Sequence, residues 1–368
     1  MKLEEITLRG FRNYEDASVS FGSGVNLLLG DNGHGKTNLL EAVLYLASGR
    51  SFRTRKEAEL IGFGKEFADF SAKVTAFDRT VELRAVLFSG RKKRQLFVNS
   101  VKKRTFSEFS GNLAAVLFSP GDLQILKSGA SARRHLLDQA LCQLFPAYEH
   151  ALSEYTKLLE HKSRILKDRF AQPSLMELLP DFNERLCRFG AEIISRRAWY
   201  MERLCAYAPS FHRDFSGEKE ALALRYQTVS TVKDPSADPE TLYQQLRAHL
   251  TDHWQAELDS CQCLTGPHRD DFDAEINGIS LKSFASQGQT RTAAISLKLA
   301  EREILREQTG EEPVLLLDDV LSELDGTRQD FLLNRLGGGQ VFISCCETDR
   351  LTDLGETFLV ENGSVRKQ

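Results

Sequence analysis

The sequence lacks any apolar run long enough to cross a membrane, and it contains no internal repeat or low-complexity tract. A transmembrane helix needs about 20 consecutive apolar residues. The first residues include Glu4 and Glu5 and have no apolar segment of the kind that signal peptides carry. These absences predict a protein without a membrane partner that works in the cytoplasm.

Cysteine is also scarce, with seven residues in a chain of 368. Cys261 and Cys263 are close in sequence, as are Cys345 and Cys346, but neither pair has the two-residue spacing of common zinc sites. An odd number of scattered cysteines does not indicate a disulfide framework. We therefore expect reduced thiols.

A strong excess of positive charge is missing as well, because the formal net charge is -4. The composition is 41% hydrophobic and 27% charged, which is typical of folded proteins and excludes a disordered chain. Any contact with nucleic acid must therefore come from a local basic patch.

Hydrophobic patterns divide the chain into three parts. Residues 1–118 predict strands and one helix, and the residues that follow, to about position 262, are mostly helical without sustained heptads. The remainder returns to mixed helices and strands. We predict an α/β fold with lobe I over residues 1–118 and 293–368, and a helical lobe II over residues 119–292.

A glycine-rich segment between an apolar strand and a helix has the pattern G-x-x-x-x-G-K-[ST]. Glycines let successive N–H groups point at phosphate oxygens, and the following helix presents its positive end. Lys36 would reach the β- and γ-phosphates, and the Thr37 hydroxyl would bind Mg²⁺. This context favours an ATP–Mg²⁺ site over a chance turn. The predicted ligand-binding residues are Gly30, Asp31, Asn32, Gly33, His34, Gly35, Lys36, Thr37 and Asn38.

Two carboxylates, Asp318 and Asp319, follow the apolar residues 314–317. In P-loop proteins such a strand is expected beside the strand that enters the phosphate loop. We predict that Asp318 holds Mg²⁺ and that Asp319 orients the attacking water as a general base. The alternative is a buried strand capped by solvated carboxylates, and the presence of Lys36 favours the functional interpretation.

A third element begins the long helix that follows Ser286. On its own, a serine at this position is first a helix N-cap. The Ser286 hydroxyl, the N–H of Gly288 and the helix N-terminus, with Gln289 nearby, would also form an anion site. The order and setting resemble the signature motif of ABC-type ATPases, which binds the γ-phosphate held by another subunit. ATP would then hold a dimer together.

Several segments in order resemble the RecF family of bacterial recombination-repair proteins, which is related to SMC-type ATPase heads. They are residues 10–14, 30–38, 51–54, 132–138, 266–271, 285–289 and 315–325. The resemblance covers the whole chain. It implies an ABC-type P-loop ATPase head with an inserted, mostly α-helical second lobe.

The resemblance also implies a function. The protein would bind ATP, dimerise on gapped DNA or single-strand/double-strand junctions, and help RecR and RecO load RecA in recombinational repair. It would be a weak DNA-dependent ATPase, with Lys36 and Asp319 as catalytic residues and Ser286 acting from the second subunit. The alternatives are an ATP-locked scaffold without significant hydrolysis, a transporter-type ABC subunit, and a P-loop kinase in which Ser286 would have no purpose.

The motifs depart from the usual ABC pattern at four places. Asp319 stands where transporters usually have Glu, and the signature reads Ser-Gln-Gly-Gln. Ser344, Cys345 and Cys346 stand where a switch histidine is usual, and Gln124 is only a candidate for the Q-loop. The missing histidine argues against a transporter subunit, and together the departures predict slow turnover.

A basic hairpin is the candidate contact with DNA. Between Ser89 and Thr105 the sequence has seven basic residues and no acidic one: Arg91, Lys92, Lys93, Arg94, Lys102, Lys103 and Arg104. They would contact phosphates without reading bases. The alternative is a charged edge strand that prevents aggregation. Arg196, Arg197 and Arg203 form a second candidate, for which a solvated helix face is favoured.

Overall fold

The computed structural model describes residues 1–54, 56–90, 92, 94–346 and 354–368. In chain order its strands are β1 (Lys2–Phe11), β2 (Tyr14–Ser20), β3 (Val25–Leu29), β4 (Phe67–Ala76), β5 (Arg79–Phe88), β6 (Gln95–Val98), β7 (Val101–Lys103), β8 (Ala115–Phe118), β9 (Leu222–Gln227), β10 (Asp271–Ile276), β11 (Ile279–Ser280), β12 (Val314–Asp318), β13 (Val341–Cys345), β14 (Gly355–Glu361) and β15 (Ser364–Lys367). Its helices are α1 (Lys36–Ser48), α2 (Ala130–Leu144), α3 (Pro146–Asp168), α4 (Leu179–Ser216), α5 (Pro239–Asp252), α6 (Trp254–Ser260), α7 (Gln287–Thr309) and α8 (Gly326–Asn334). In the described ranges no helix is long and apolar enough to cross a bilayer.

A mostly parallel sheet carries the phosphate loop. Its strand order is β15-β14-β3-β13-β12-β8, and the strands from β14 to β8 run parallel. The residues of β8, β12 and β13 are all buried, which explains their short apolar runs, because a parallel sheet is covered on both faces. Leu316 packs into the same core as α1 on one face, and Leu317 into the same core as α7 on the other.

The strand that ends in the two carboxylates does not lie beside the strand that enters the phosphate loop, and this prediction was wrong. β13 lies between them, paired with β3 on one side and with β12 on the other. Parallel strands are joined by long crossovers, so the pattern of a single strand does not determine its neighbours. The carboxyl ends of β3, β13 and β12 still meet at one edge, where β13 adds Ser344.

A second sheet, formed by residues in the first third of the chain, is antiparallel. Its order is β2-β1-β4-β5-β6-β7, so β7 is an edge strand. β6 and β7 form the hairpin expected between Ser89 and Thr105. Its turn residues, Asn99 and Ser100, have φ of 49° and 64°, as two-residue hairpin turns require.

The middle of the chain is helical as predicted, but it also contains a strand. β9 pairs with β10 and completes a small sheet of order β11-β10-β9. Leu222 is buried at the start of β9, and exposed and half-buried residues alternate after it. The sequence analysis did not predict this strand, because its two-residue period is short and lies within a long region whose pattern is helical.

Helix α7 joins the two predicted lobes. Leu297 and Ala300 pack into the core formed by the helices of the middle region, whereas Ile295 and Leu299 pack against the parallel sheet. The predicted boundary at residues 292–293 falls inside this helix. The division into lobes I and II stays a prediction, with α7 shared between them.

Candidate functional site

The phosphate loop connects β3 to α1 and depends on glycine at two points. Gly30 has φ of 152°, and a Cβ there would lie 2.2 Å from the carbonyl oxygen of Val360. Gly35 has φ of 120°, and its Cβ would lie 2.8 Å from Nδ2 of Asn13. A side chain at Gly30 would therefore meet backbone, and one at Gly35 would meet the Asn13 side chain in a conformation that favours glycine.

Lys36 begins α1, and its side chain, which reaches back into the loop, is only 6% exposed. Its ammonium donates to the carbonyl oxygens of Gly30 and Asp31, the latter at 3.1 Å, and to Sγ of Cys346 at 3.4 Å. Sγ of Cys346 in turn lies 3.2 Å from Oδ1 of Asn32. The predicted phosphate ligand is therefore held among the backbone atoms of the loop, and Cys346 from the end of β13 reaches the same place.

The residues predicted to bind Mg²⁺ are brought together. The Thr37 hydroxyl donates to Oδ1 of Asp318 at 2.8 Å, although the two residues are 281 positions apart. Burial raises the pKa of Asp318, and the hydrogen bonds from Thr37 and Ser344 partly offset this rise. A hydroxyl and a carboxylate are the hard oxygen donors that Mg²⁺ prefers, so this pair fits the ion.

Sequence reasoning missed the role of Ser344. Its hydroxyl donates to Oδ1 of Asp318 at 2.9 Å and accepts from the backbone N–H of Asp319 at 2.9 Å. Asp319 has φ of 51°, a left-handed conformation that is uncommon among non-glycine residues and that Asp adopts more readily than most. Ser344 therefore ties together the predicted metal carboxylate and the backbone of the predicted general base. Its place in the sequence, two residues before Cys346 in the switch region, was the only available signal.

The segment after β1 braces the phosphate loop from outside. Nδ2 of Asn13 donates to the carbonyl oxygen of His34 at 2.9 Å, and the hydroxyl of Tyr14 donates to that of Gly35 at 3.0 Å. Asn38 donates to Oδ1 of Asn13 at 2.8 Å, and its role as a ligand of the nucleotide stays a prediction. This accounts for the residues 10–14 motif: it fixes the shape of the loop.

A buried ion pair continues this bracing into α1. The guanidinium of Arg12 donates to both oxygens of Glu41, at 2.9 and 2.8 Å, and Glu41 is fully buried. The Ser51 hydroxyl donates to the same carboxylate at 2.5 Å, and Arg53 lies 3.5 Å from it. The residues 51–54 motif thus serves the helix that begins at the phosphate loop.

Ser286 lies at the start of α7, away from this loop. It forms the expected N-cap: its hydroxyl accepts from the N–H of Gln289 at 3.1 Å, and Oε1 of Gln289 accepts from the N–H of Ser286 at 3.1 Å. Nε2 of Gln289 donates to Glu220 at 2.8 Å, so this predicted ligand residue is occupied within the chain. Ser286 and Gly288 line a surface cavity with Lys219 and Arg328 that includes none of residues 30–38.

The basic hairpin is less uniform than its sequence. Arg91 and Lys93 lie outside the described residues. The side chain of Arg94 points inward. Its guanidinium donates to Oε1 of Glu57 at 2.6 Å and to the carbonyl oxygen of Gly49 at 3.0 Å, so Arg94 is already paired within the fold. The other members are on the surface: Lys92 lies 3.9 Å over the Phe88 ring, and β7 with the residue after it carries Lys102, Lys103 and Arg104.

Two basic groups of the helical region are structural. Arg197 is 2% exposed and pairs with Asp138 and Asp270, each at 2.8 Å, which overturns its placement on a solvated helix face. His268 contacts the Tyr155 hydroxyl at 2.6 Å, and burial lowers its pKa to about 4. The residues 132–138 and 266–271 motifs meet in this buried network rather than at the phosphate loop.

Residues 2–362 match the family model described as the RecF/RecN/SMC N terminal domain. The DNA replication and repair protein RecF of Listeria welshimeri is 39% identical over 376 residues and covers 100% of both chains. A solved structure described as the recombination mediator protein RecF-ATPrS in the RecFOR pathway is 36% identical, with a TM-score of 0.91, covering 100% of this chain and 98% of that chain.

A solved Smc head domain from Pyrococcus furiosus, bound to the C-terminal domain of ScpA, is 16% identical, with a TM-score of 0.55, and covers 100% of this chain and 95% of that chain. This likeness bears on the fold, and the predicted ABC-type ATPase head is confirmed. The chain therefore belongs to the RecF family, within the wider group of proteins that share the RecF/RecN/SMC N-terminal domain.

Proposed function

We propose that the protein binds ATP with Mg²⁺ and uses it to dimerise on DNA during recombinational repair. One arrangement carries this proposal. Lys36, Thr37 and Asp318 form one half of a nucleotide site, whereas Ser286 is exposed at the N-terminus of α7 in a separate cavity. A second copy of the chain would bring its Ser286 against the γ-phosphate and complete the site.

The chemistry assigned to each residue follows from its contacts. Lys36 would exchange the loop carbonyls for phosphate oxygens, and Asp318 with Thr37 would hold Mg²⁺. Asp319 would orient water as the general base. With Mg²⁺ bound, the ion would neutralise charge that develops on the phosphates.

Slow hydrolysis, which makes the protein a weak DNA-dependent ATPase, is supported by what stands in the switch region. Sγ of Cys346, rather than an imidazole, lies next to the Lys36 ammonium. A thiol is a weak hydrogen-bond donor and acceptor. The same observation favours the second candidate function, an ATP-locked scaffold that does not hydrolyse ATP. Single-turnover hydrolysis by the wild type and by Asp319→Asn separates the two, because only the first function predicts a rate that the substitution abolishes.

The DNA partner would be gapped DNA or a single-strand/double-strand junction, with RecR, and indirectly RecO and RecA, as protein partners. Support comes from the family, from a solved relative described as part of the RecFOR pathway, and from the exposed Lys92, Lys102 and Arg104. These side chains would contact phosphates, so the affinity would fall steeply with salt.

The test uses two variants that keep the N-cap. Asp and Asn both cap helices well, so Ser286→Asp and Ser286→Asn preserve the start of α7. Only the aspartate would repel a γ-phosphate. We expect ATP to dimerise the wild type and to increase its affinity for gapped DNA, with loss of both effects in Ser286→Asp and in Lys36→Arg. Ser286→Asn should retain both effects in part. ATP-dependent dimers of Ser286→Asp at wild-type affinity would refute the composite site.

A further inference from the structure

An aromatic ring stands fully in solvent on a turn that is bonded to the end of β1. Phe63 has a relative exposure of 105%, the highest of any large apolar side chain in the described part of the chain. It sits in a tight turn in which the N–H of Lys65 donates to Gly62 at 3.0 Å and Gly64 has φ of 75°. The turn is tied to β1 by a 2.8 Å hydrogen bond from the N–H of Gly62 to Gly10. The ring is therefore displayed on a fixed backbone, with a glycine on each side.

This turn lies at one end of the antiparallel sheet, together with the open end of the basic hairpin, where β6 begins and β7 finishes. Phe67 starts β4 and pairs with Phe88 at the end of β5. The N–H of Ser89 donates to the carbonyl oxygen of Glu66 at 2.9 Å, so the connection that carries Lys92 starts beside the Phe63 turn.

The cations lie along the same end of the sheet. β6 begins and β7 finishes there, because Leu96 pairs with Lys103, and Arg104 follows directly. From β1 to β7 this end crosses four strand spacings, or about 19 Å.

We propose that this end of the sheet binds single-stranded DNA, with an unpaired base stacked on the Phe63 ring and phosphates held by Lys92 and Arg104. The proposal rests on the DNA-binding function proposed above and adds a specific contact to it. Stacking needs one ring with open faces and nearby cations, and it tolerates any base. The turn supplies the Phe63 ring between glycines. Lys65 beside it pairs with Glu15 at 3.2 Å, so the phosphate contacts are assigned to Lys92 and Arg104.

Its surroundings favour nucleic acid over a protein partner. Protein interfaces bury their aromatic anchors at the centre of packed, desolvated patches. Here the residues next to Phe63 are glycines, and the same end of the sheet carries two further rings, Phe67 and Phe88, with the cations Lys65 and Lys92 and one exposed carboxylate, Glu66. Phe67, a second half-exposed ring, begins the neighbouring strand. A strand of bases and phosphates matches this combination of exposed rings and cations.

The experiment compares Phe63→Ser with Phe170→Ser, a matched loss of a ring that is 82% exposed on the helical part of the chain. Fluorescence anisotropy would measure binding of the full chain to gapped DNA and to a fully paired duplex of equal length, with ATP. We expect Phe63→Ser to bind gapped DNA about 5- to 160-fold more weakly, the range that the loss of one stacked base produces. Duplex affinity should be unchanged, and Phe170→Ser should resemble the wild type.

A second variant shows whether a loss of binding comes from the missing ring or from damage to the turn. Phe63→Trp keeps a stacking ring, so it should bind gapped DNA like the wild type, and its indole fluorescence, after subtraction of the signal from the two native tryptophans, should be quenched by single-stranded DNA. Wild-type affinity of Phe63→Ser, or an unquenched indole in a bound complex, would overturn this inference and leave the proposed function standing. Failure of the wild type to bind any DNA would remove both.

Discussion

Removal of the Ser344 hydroxyl should damage the site in a way that its geometry defines. In Ser344→Ala the carboxylate of Asp318 loses one of its two hydroxyl donors, and the N–H of Asp319 loses its acceptor. A hydrogen bond to a charged group contributes about 1.5–3 kcal/mol and a neutral one about 0.5–1.5 kcal/mol. Because Ser344 is 2% exposed, water does not replace the hydroxyl easily. We expect a loss of about 2–4 kcal/mol in the free energy of unfolding.

The functional effect should appear in the pH dependence of magnesium-assisted ATP binding. Burial already raises the pKa of Asp318, and Ser344 is one of the donors that lower it. Without that donor the pKa rises further, and a proton competes with Mg²⁺ up to a higher pH. Titration of ATP affinity against pH at fixed Mg²⁺ should therefore show the decline on acidification beginning at higher pH in Ser344→Ala than in the wild type.

Without Mg²⁺, the contribution of Asp318 to the free energy of unfolding changes with pH in the direction opposite to that of most carboxylates. A folded-state pKa above the unfolded value of 3.8 means that the folded chain binds the Asp318 proton more tightly. Its contribution to stability is therefore lost as pH rises from 3.8 through the raised pKa. Ser344→Thr, which keeps the hydroxyl, is the control. Coincident pH profiles for Ser344→Ala and Ser344→Thr would refute the role assigned to this hydroxyl.

Three further outcomes are expected. Gly35→Ala should abolish ATP binding measured by calorimetry, because its Cβ would lie 2.8 Å from Asn13 at φ of 120°, whereas Gly24→Ala, whose Cβ meets nothing within 4 Å, should bind normally. Arg197→Met should lower the free energy of unfolding in urea by about 3–5 kcal/mol, because Asp138 and Asp270 would stay buried with their tyrosine donors but without a cation. The neighbouring Arg196→Met should lower it by less than about 1 kcal/mol, and equal effects would contradict the buried network. Because the pKa of His268 is about 4 when folded and 6.5 as a free group, stability should fall by about 3 kcal/mol as pH falls from 6.5 to 4, and a His268→Gln chain that retained this loss would exclude His268 as its source.

The sequence was sufficient for the elements whose chemistry is local. The phosphate loop was predictable from consecutive residues, because a strand, glycines, a lysine and a helix follow one another. The N-cap at Ser286 and the turn at Asn99 and Ser100 were predictable for the same reason: each depends on residues within three positions.

Contacts between distant segments were beyond the sequence pattern. The insertion of β13 between β3 and β12 depends on crossover order, and it brings Ser344 to Asp318 from 26 positions away. The sequence pattern placed Arg94 and Arg197 among surface cations. Both side chains point inward, because Glu57 and Asp270 lie within reach of their guanidinium groups. Charge in a sequence does not say which side of a strand or helix faces solvent.

The central claim is that ATP is held between two copies of the chain, and mixing two inactive variants tests it most directly. Lys36→Arg lacks a working phosphate loop, and Ser286→Asp lacks a working partner surface. A mixed dimer still contains one site in which an intact Lys36 faces an intact Ser286, because a two-fold dimer uses the same two surfaces in each site.

Native mass spectrometry with ATP and Mg²⁺ would count the species. Each variant alone should remain monomeric, and the mixture should form heterodimers. If the mixture stays monomeric while the wild type dimerises, or if either variant dimerises alone with wild-type affinity, the shared site does not exist.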